Sequence, residues 1–221
     1  MTNIVYIGSA GVLSVIPLRV LLQQGIRIKA IAMMAETRHR LESQPASLAD
    51  IKVGDDESLS ASASLLQIAD KYQIPVIALP EQLEQSVALF KAVNTELILM
   101  SCFSRKLPAA IFNLPARGCF NMHPSLLPAY RGPSPVHWQC AHKVTESGVT
   151  VHKVNAGIDQ GEIAVQKKIK TRLCVNKVEL AYKLALLGGE AFVELLAKIE
   201  SDSLCLQAQA EAEASYYGFP E

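Results

Sequence analysis

Short apolar runs alternate with stretches in which apolar residues recur at helical spacing. Residues 3–8, NIVYIG, form an apolar run of strand length; 12–25, VLSVIPLRVLLQQG, carry apolar side chains at helical intervals and stop at a glycine; 26–34, IRIKAIAMM, are strand-like again. That is one βαβ unit. It is followed by a helical stretch at about 60–73 (SASASLLQIADKYQ), a strand IPVIAL, a helix EQLEQSVALFKAVN and a strand ELILMSCF. The alternation predicts an α/β chain with a Rossmann-like, doubly wound, mostly parallel sheet and helices on both faces. In such sheets ligands bind outside the carboxyl ends of the strands.

Residues 35–58 turn polar, hold no period and read as a long surface loop. Two strand-like runs, GVTVHKV and EIAVQKKIK, lie within about 147–170 around NAGIDQG, whose glycines predict a tight connection. A helix is expected at about 175–199, with Gly188 and Gly189 as its weak point, and then a polar tail ending in ASYYGFPE. Pro17 falls inside the first helical period and predicts either a kink or a late helix start. The chain shows no internal repeat and no low-complexity segment.

Composition narrows the classes. Half of the 221 residues are hydrophobic, enough for one sizeable core, and a second full domain is not expected. Lys plus Arg and Asp plus Glu number 21 each, so no overall basic field favours a phosphate backbone, and a nucleic-acid partner would have to be argued locally. The five cysteines, Cys102, Cys119, Cys140, Cys174 and Cys205, are widely spaced and form no CxxC pair, which speaks against a zinc site or a disulfide framework and for reduced thiols. No basic leader precedes an apolar run at the start and no apolar stretch is long enough to span a bilayer, so a cytoplasmic location is expected.

The first turn, IGSAGVL, lacks the full GxGxxG pattern, so tight packing explains its glycines better than a dinucleotide site. Arg105 and Lys106, at the carboxyl end of ELILMSCF, fit either a ligand contact or a solvated turn. The segment RGCFNMHPSLLPAYRG carries more. Strand alternation puts Asn121 and His123 on one side and Met122 on the other, ahead of a loop stiffened by Pro124 and Pro128. An amide donor and an imidazole can then converge on one electrophile, the imidazole donating to an oxyanion or moving a proton. Asp159, between Gly157 and Gly161, is by default a turn residue, but if its loop returns to that strand its carboxylate can orient His123. His39, His137, His142 and His152 have no metal-ligand spacing and read as surface or partly buried, and no GxSxG elbow is present.

NMHPSLLPAYRG resembles the signature of the formyltransferases that use 10-formyltetrahydrofolate, a family that includes methionyl-tRNA, glycinamide-ribonucleotide and amino-sugar N-formyltransferases. GIDQGEI is similar to the acidic loop of that family, SCFSRKLP to its folate-pocket strand end, and VYIGSAGVLSVIPLRVLLQQG and LLQIADKYQIPV to the methionyl-tRNA branch. The resemblance covers about residues 1–200 and implies a catalytic domain of the formyltransferase fold there, with 201–221 as a C-terminal tail. It implies transfer of a formyl group to a primary amine with no metal required. Asn121 and a protonated His123 would stabilise the oxyanion, and Asp159 would hold the imidazole charged. Backbone groups of Arg105, Lys106 and Leu107, with those of Val154, Asn155, Ala156, Gly157 and Ile158, would hold the pterin.

The tRNA-acting members carry a basic loop after the second strand and an additional C-terminal β-barrel, neither of which matches here, and Gln160 and Glu162 replace the usual Thr and Asp. GSAGVL also matches the phosphate loop of the glycinamide-ribonucleotide enzymes poorly. A small amine acceptor, such as an amino sugar, is therefore expected in place of tRNA. The alternatives are a hydrolase delivering the formyl group to water and a folate-binding protein without turnover; a nicotinamide-dependent dehydrogenase is a distant third.

Overall fold

A computed structural model describes residues 2–43, 64–103, 105–171 and 176–220. Strands β1 (Ile4–Gly8), β2 (Ile28–Met34), β3 (Val76–Leu79), β4 (Leu97–Ser101), β5 (Cys119–His123), β6 (Glu146–Lys153) and β7 (Ile163–Lys170) make one sheet in the order β3-β2-β1-β4-β5-β6-β7. The first five run parallel, while β6 and β7 add antiparallel to that side. The chain works outward from β1 to β3, then returns to lay β4 on the other flank of β1. The strand order reverses there, and the reversal opens a crevice at the carboxyl ends of β1 and β4.

Period-two alternation feeds two cores. Tyr6, Ile31, Met33, Leu99, Phe120 and Met122 point to one face, covered by helices α1 (Val12–Gln23), α3 (Leu65–Lys71) and α7 (Lys177–Glu200). Val5, Ile7, Ala32, Ile98 and Cys119 point to the other, covered by Phe90 of α4 (Leu83–Ala92) and Ile111 of α5 (Ala109–Phe112). A further helix, α6 (Pro135–Ala141), links β5 to β6. Helix α3 opens on a capping box in which Ser64 and Gln67 bond reciprocally. The part of that helix expected before Ser64 lies outside the described residues.

Three sequence expectations change. The polar stretch read as a loop begins with a helix, α2 (Ala35–Ser43), supported by an Arg38–Glu42 pair at 2.8 Å; its lack of an apolar stripe hid it. The rest of that expected loop lies outside the described residues. Pro17 starts no helix, because α1 already runs from Val12. Proline at 17 leaves the Leu13 carbonyl without its helical donor, and the Ser101 hydroxyl of β4 donates to that carbonyl instead.

Gly188 and Gly189 are not weak points either: α7 runs unbroken through them, and both are buried. A Cβ on Gly189 would meet Val20 Cβ of α1 at 2.5 Å, and one on Gly188 would meet the Met122 side chain of β5 at 3.0 Å. The glycines let α7 lie close to its neighbours. Gly189→Ala therefore sets a helix-propensity gain of about 1 kcal/mol against an overpacking cost of about 1–3 kcal/mol, and the expected net result is a lower melting temperature. The double variant with Val20→Ala removes the methyl contacts at 2.8 and 2.9 Å but keeps the Val20 Cβ, so it should recover only part of the loss; thermal unfolding of both checks the sign. Among the described residues no helix is long and apolar enough to cross a membrane.

Candidate active site

β5 ends at the crevice, and its alternation places Asn121 and His123 on the open side while Met122 packs beneath α7. Antiparallel pairing sets His152 of β6 opposite Asn121 and Thr150 opposite His123. The β6–β7 connection then carries Asp159 back over the end of β5. Asp159 Oδ2 lies 3.5 Å from His123 Nδ1 and Oδ1 lies 3.5 Å from His152 Nε2. The Gly132 N–H donates to Asp159 Oδ2 at 2.9 Å. Asp159 is the turn residue expected, with a left-handed backbone at φ 53°, and its side chain also reaches His123.

Hydrogen bonds define the protonation pattern. His123 Nε2 sits 2.8 Å from the Tyr130 carbonyl, which only accepts, so Nε2 carries the hydrogen and Nδ1 faces Asp159. His152 Nδ1 sits 3.1 Å from the Lys153 carbonyl, which leaves Nε2 to accept from the Asn121 amide at 3.1 Å. One N–H of that amide is thereby used in fixing its orientation, and the second is available to the cleft.

Burial pushes the His123 pKa below its ordinary value, an effect that the nearby Asp159 and the Tyr130 carbonyl oppose without overcoming. The resting imidazole is therefore neutral at neutral pH. Burial acts to raise the Asp159 pKa, but the two histidines and the Gly132 N–H outweigh it and hold the carboxylate well below its usual range. Both shifts disfavour proton uptake by the fold. Stability should fall as pH drops below the ordinary His value of 6.5, and fall again below the ordinary Asp value of 3.8. His123→Gln should flatten the first decline. Melting temperatures from pH 7.5 to 4.5 test this, and equal slopes in the two proteins would contradict it.

These residues form one end of a cleft of about 420 Å³. Of the expected pterin-holding residues, Arg105, Lys106, Leu107, Val154, Asn155, Gly157 and Ile158 line it, whereas Ala156 of the same loop does not. The Arg105 guanidinium, at the rim, is paired with Glu36 of α2 at 3.0 Å. Cys102 also lines the cleft and, like Cys205, is an exposed residue. Another cavity, of about 470 Å³, lies at the far end of the sheet among Leu22, Arg27, Tyr72 and Pro75, away from these groups.

Sequence reasoning missed two contributors. His152, read as a surface or partly buried histidine, is buried and bonded to Asn121; the antiparallel register of the β5 and β6 runs was the signal that could have found it. The tail returns across the site. Ser215 and Tyr217 bond to the backbone around Arg131, and Tyr217 stacks between Tyr130 and Trp138 at centroid distances of 5.3 and 5.4 Å. Tyr216 and Phe219, both exposed, complete the cleft wall. Only the aromatic SYYGF within a polar tail hinted at this.

The model of the formyl transferase family matches residues 53–196. Methionyl-tRNA formyltransferase of Geobacter metallireducens is 33% identical over 151 residues, which cover 67% of this chain and 48% of that protein. The enzyme of the same name from Ehrlichia ruminantium is 38% identical over 126 residues, covering 57% and 41%. The chain thus spans about half the length of the curated relatives it matches. An N-formyltransferase from Helicobacter canadensis, crystallised with folinic acid and dTDP-3-aminofucose, shares the fold with a TM-score of 0.68 at 22% identity over 99% of this chain and 71% of that one. Glycinamide ribonucleotide transformylase 1 from Symbiobacterium toebii shares it with a TM-score of 0.71 at 16% identity over 95% of each chain. Since the matched stretch 53–196 takes in the strand bearing Asn121 and His123 and the loop bearing Asp159, the chain belongs to the formyl transferase family.

Proposed function

We propose that this chain transfers a formyl group from 10-formyltetrahydrofolate to a small primary amine, such as an amino sugar, in the cytoplasm. The observation that carries the reading is the convergence of Asn121, His123 and Asp159 at one end of the crevice where the strand order reverses. The adjoining walls suit a pterin: Met100, Leu107 and Val154 offer an apolar slot, and the 102–107 and 154–158 segments supply backbone donors and acceptors. The Helicobacter relative binds folinic acid on the same fold.

The folate derivative supplies an electrophilic formyl carbon. The free N–H of Asn121 is oriented by His152 to donate to a carbonyl oxygen that gains negative charge, and such a donor is typically worth about 3–4 kcal/mol. His123, neutral at rest with Nδ1 unprotonated, is set to take the proton that an attacking amine releases. The resulting imidazolium would gain Asp159 as a counter-charge at 3.5 Å. The charged imidazole implied by the family resemblance then arises during the reaction, and the same Nδ1–H can be passed to the departing nitrogen.

Support for a small acceptor comes from charge and lining. The chain balances 21 basic with 21 acidic residues, and Leu13, Pro133, Pro135, Tyr216 and Phe219 make one wall of the cleft apolar and aromatic. Folate product formation from 10-formyltetrahydrofolate, followed optically with and without a panel of amines including methionyl-tRNA and nucleotide-linked amino sugars, tests the reading. Acceleration by a small amine supports it, acceleration by methionyl-tRNA alone replaces the acceptor, and turnover indifferent to every amine assigns the chemistry to hydrolysis.

A further inference from the structure

Arg131 is buried, and it sits between the two residues whose backbones hold the catalytic side chains: Tyr130, whose carbonyl accepts from His123, and Gly132, whose N–H donates to Asp159. Its guanidinium reaches the C-terminal segment. Nη1 and Nη2 donate to Glu211 at 2.9 and 2.6 Å, and Nε and Nη2 donate to Gln209 Oε1 at 3.1 and 2.7 Å. The other end of the same amide, Gln209 Nε2, donates to the Asp159 carbonyl at 2.8 Å and to the Gly161 carbonyl at 2.7 Å. One side chain thus ties both catalytic loops together. Its orientation is unambiguous, since the guanidinium only donates and the carbonyls only accept.

We propose that Gln209 is a positioning residue for formyl transfer, fixing Asp159 against His123 by bridging the Arg131 backbone segment to the Asp159–Gly161 turn; this rests on the function proposed above. The bridge has a physical task. Asp159 lies in the left-handed region, at φ 53°, so its turn depends on the bonds its carbonyl and carboxylate make. The Gly132 N–H holds its carboxylate, while Gln209 holds its carbonyl. A glutamate at 209 would keep an acceptor for Arg131 but lose both donated bonds and set its charge against two carbonyl oxygens. Asp159 and His152 are the titratable groups facing His123, so a displaced Asp159 alters the titration of His123 directly.

The test uses full-length Gln209→Glu and Gln209→Met. Imidazole nitrogen NMR follows the titration and tautomer of His123 in the substrate-free protein, with His123→Gln assigning the signals. Steady-state kinetics separate kcat from KM for 10-formyltetrahydrofolate at saturating amine. The expected result is a His123 midpoint displaced by about half a unit or more, a kcat lowered about 10- to 100-fold and a KM changed less than about threefold. A side chain that only fastened the tail would lower the melting temperature and leave His123 and kcat as in the wild type, and either a wild-type titration or a wild-type kcat in Gln209→Glu overturns the proposal. If Gln209→Met does not fold, Gln209→Glu decides. If the wild type transfers no formyl group to any amine, the functional reading fails, while the His123 titration still judges the bridge.

Discussion

Asp159→Asn and His123→Ala should each lower formyl transfer by about a thousandfold, the range in which general acid–base groups act. The two losses should not multiply in the double variant. His123 Nδ1 and Asp159 Oδ2 face each other at 3.5 Å, and the carboxylate matters only while the imidazole is charged, so removing either member removes most of what the pair does. Asn at 159 can still accept from the Gly132 N–H, which keeps the turn in place and makes the activity loss electrostatic. Asn121→Ala should fall by about a hundred- to a thousandfold, as for a single oxyanion donor. Single-turnover rates at saturating substrates measure these differences, and wild-type turnover in Asp159→Asn would remove Asp159 from the mechanism.

Gly161→Ala should be, with Gly132→Ala, among the most damaging single methyl additions in the site. A Cβ on Gly161 would run into the Lys153 carbonyl and lie 3.3 Å from His152 Nδ1. Lys153 is the last residue of β6, and its N–H donates to the Glu162 carbonyl at 2.9 Å to close the turn. Relief therefore requires moving backbone, not rotating a side chain, and the turn that moves carries Asp159. An overpacking cost of about 1–3 kcal/mol lowers the melting temperature by about 2–12 °C for a chain of this size. A turnover loss of about a hundredfold from misplacement is expected to accompany it. Gly157→Ala is the comparison, because its Cβ would meet the flexible Gln160 side chain and should cost much less. Thermal unfolding and turnover of the two variants separate a strained turn from a generally intolerant loop.

Periodicity made the scaffold legible. The parallel strands pack on both faces and read as unbroken apolar runs, and Gly25 ends the first helical pattern in a left-handed backbone just beyond α1. The same logic failed for α2, whose polar surface has no stripe to find, and for Gly188 and Gly189, because helix propensity records what glycine costs a helix and not what it lets a neighbour approach. Asn121 and His123 could be paired from strand alternation alone. Bringing Asp159 to them required knowing where β6 lies, and that same register brings in His152. Tyr216, Phe219 and Gln209 depend on the return path of the tail, which no local rule encodes.

The residues proposed to do the chemistry, Asn121, His123, His152 and Asp159, all come from β5, β6 and the loop that follows. Part of the apolar wall proposed to face the amine comes from elsewhere in the chain, Leu13 from α1 and Tyr216 and Phe219 from the tail, while Pro133 and Pro135 follow β5. Under the proposed function, reaction and much of recognition thus fall to separate stretches of sequence. Within the tail, Gln209, Ser215 and Tyr217 bond to the segments that hold the reacting groups, so Leu13, Tyr216 and Phe219 are the positions at which the wall is expected to vary, and with it the proposed choice of amine, without disturbing the alignment of those groups. Exchange of Tyr216 and Phe219 for the residues of relatives that use different acceptors is accordingly the expected route to a change of substrate.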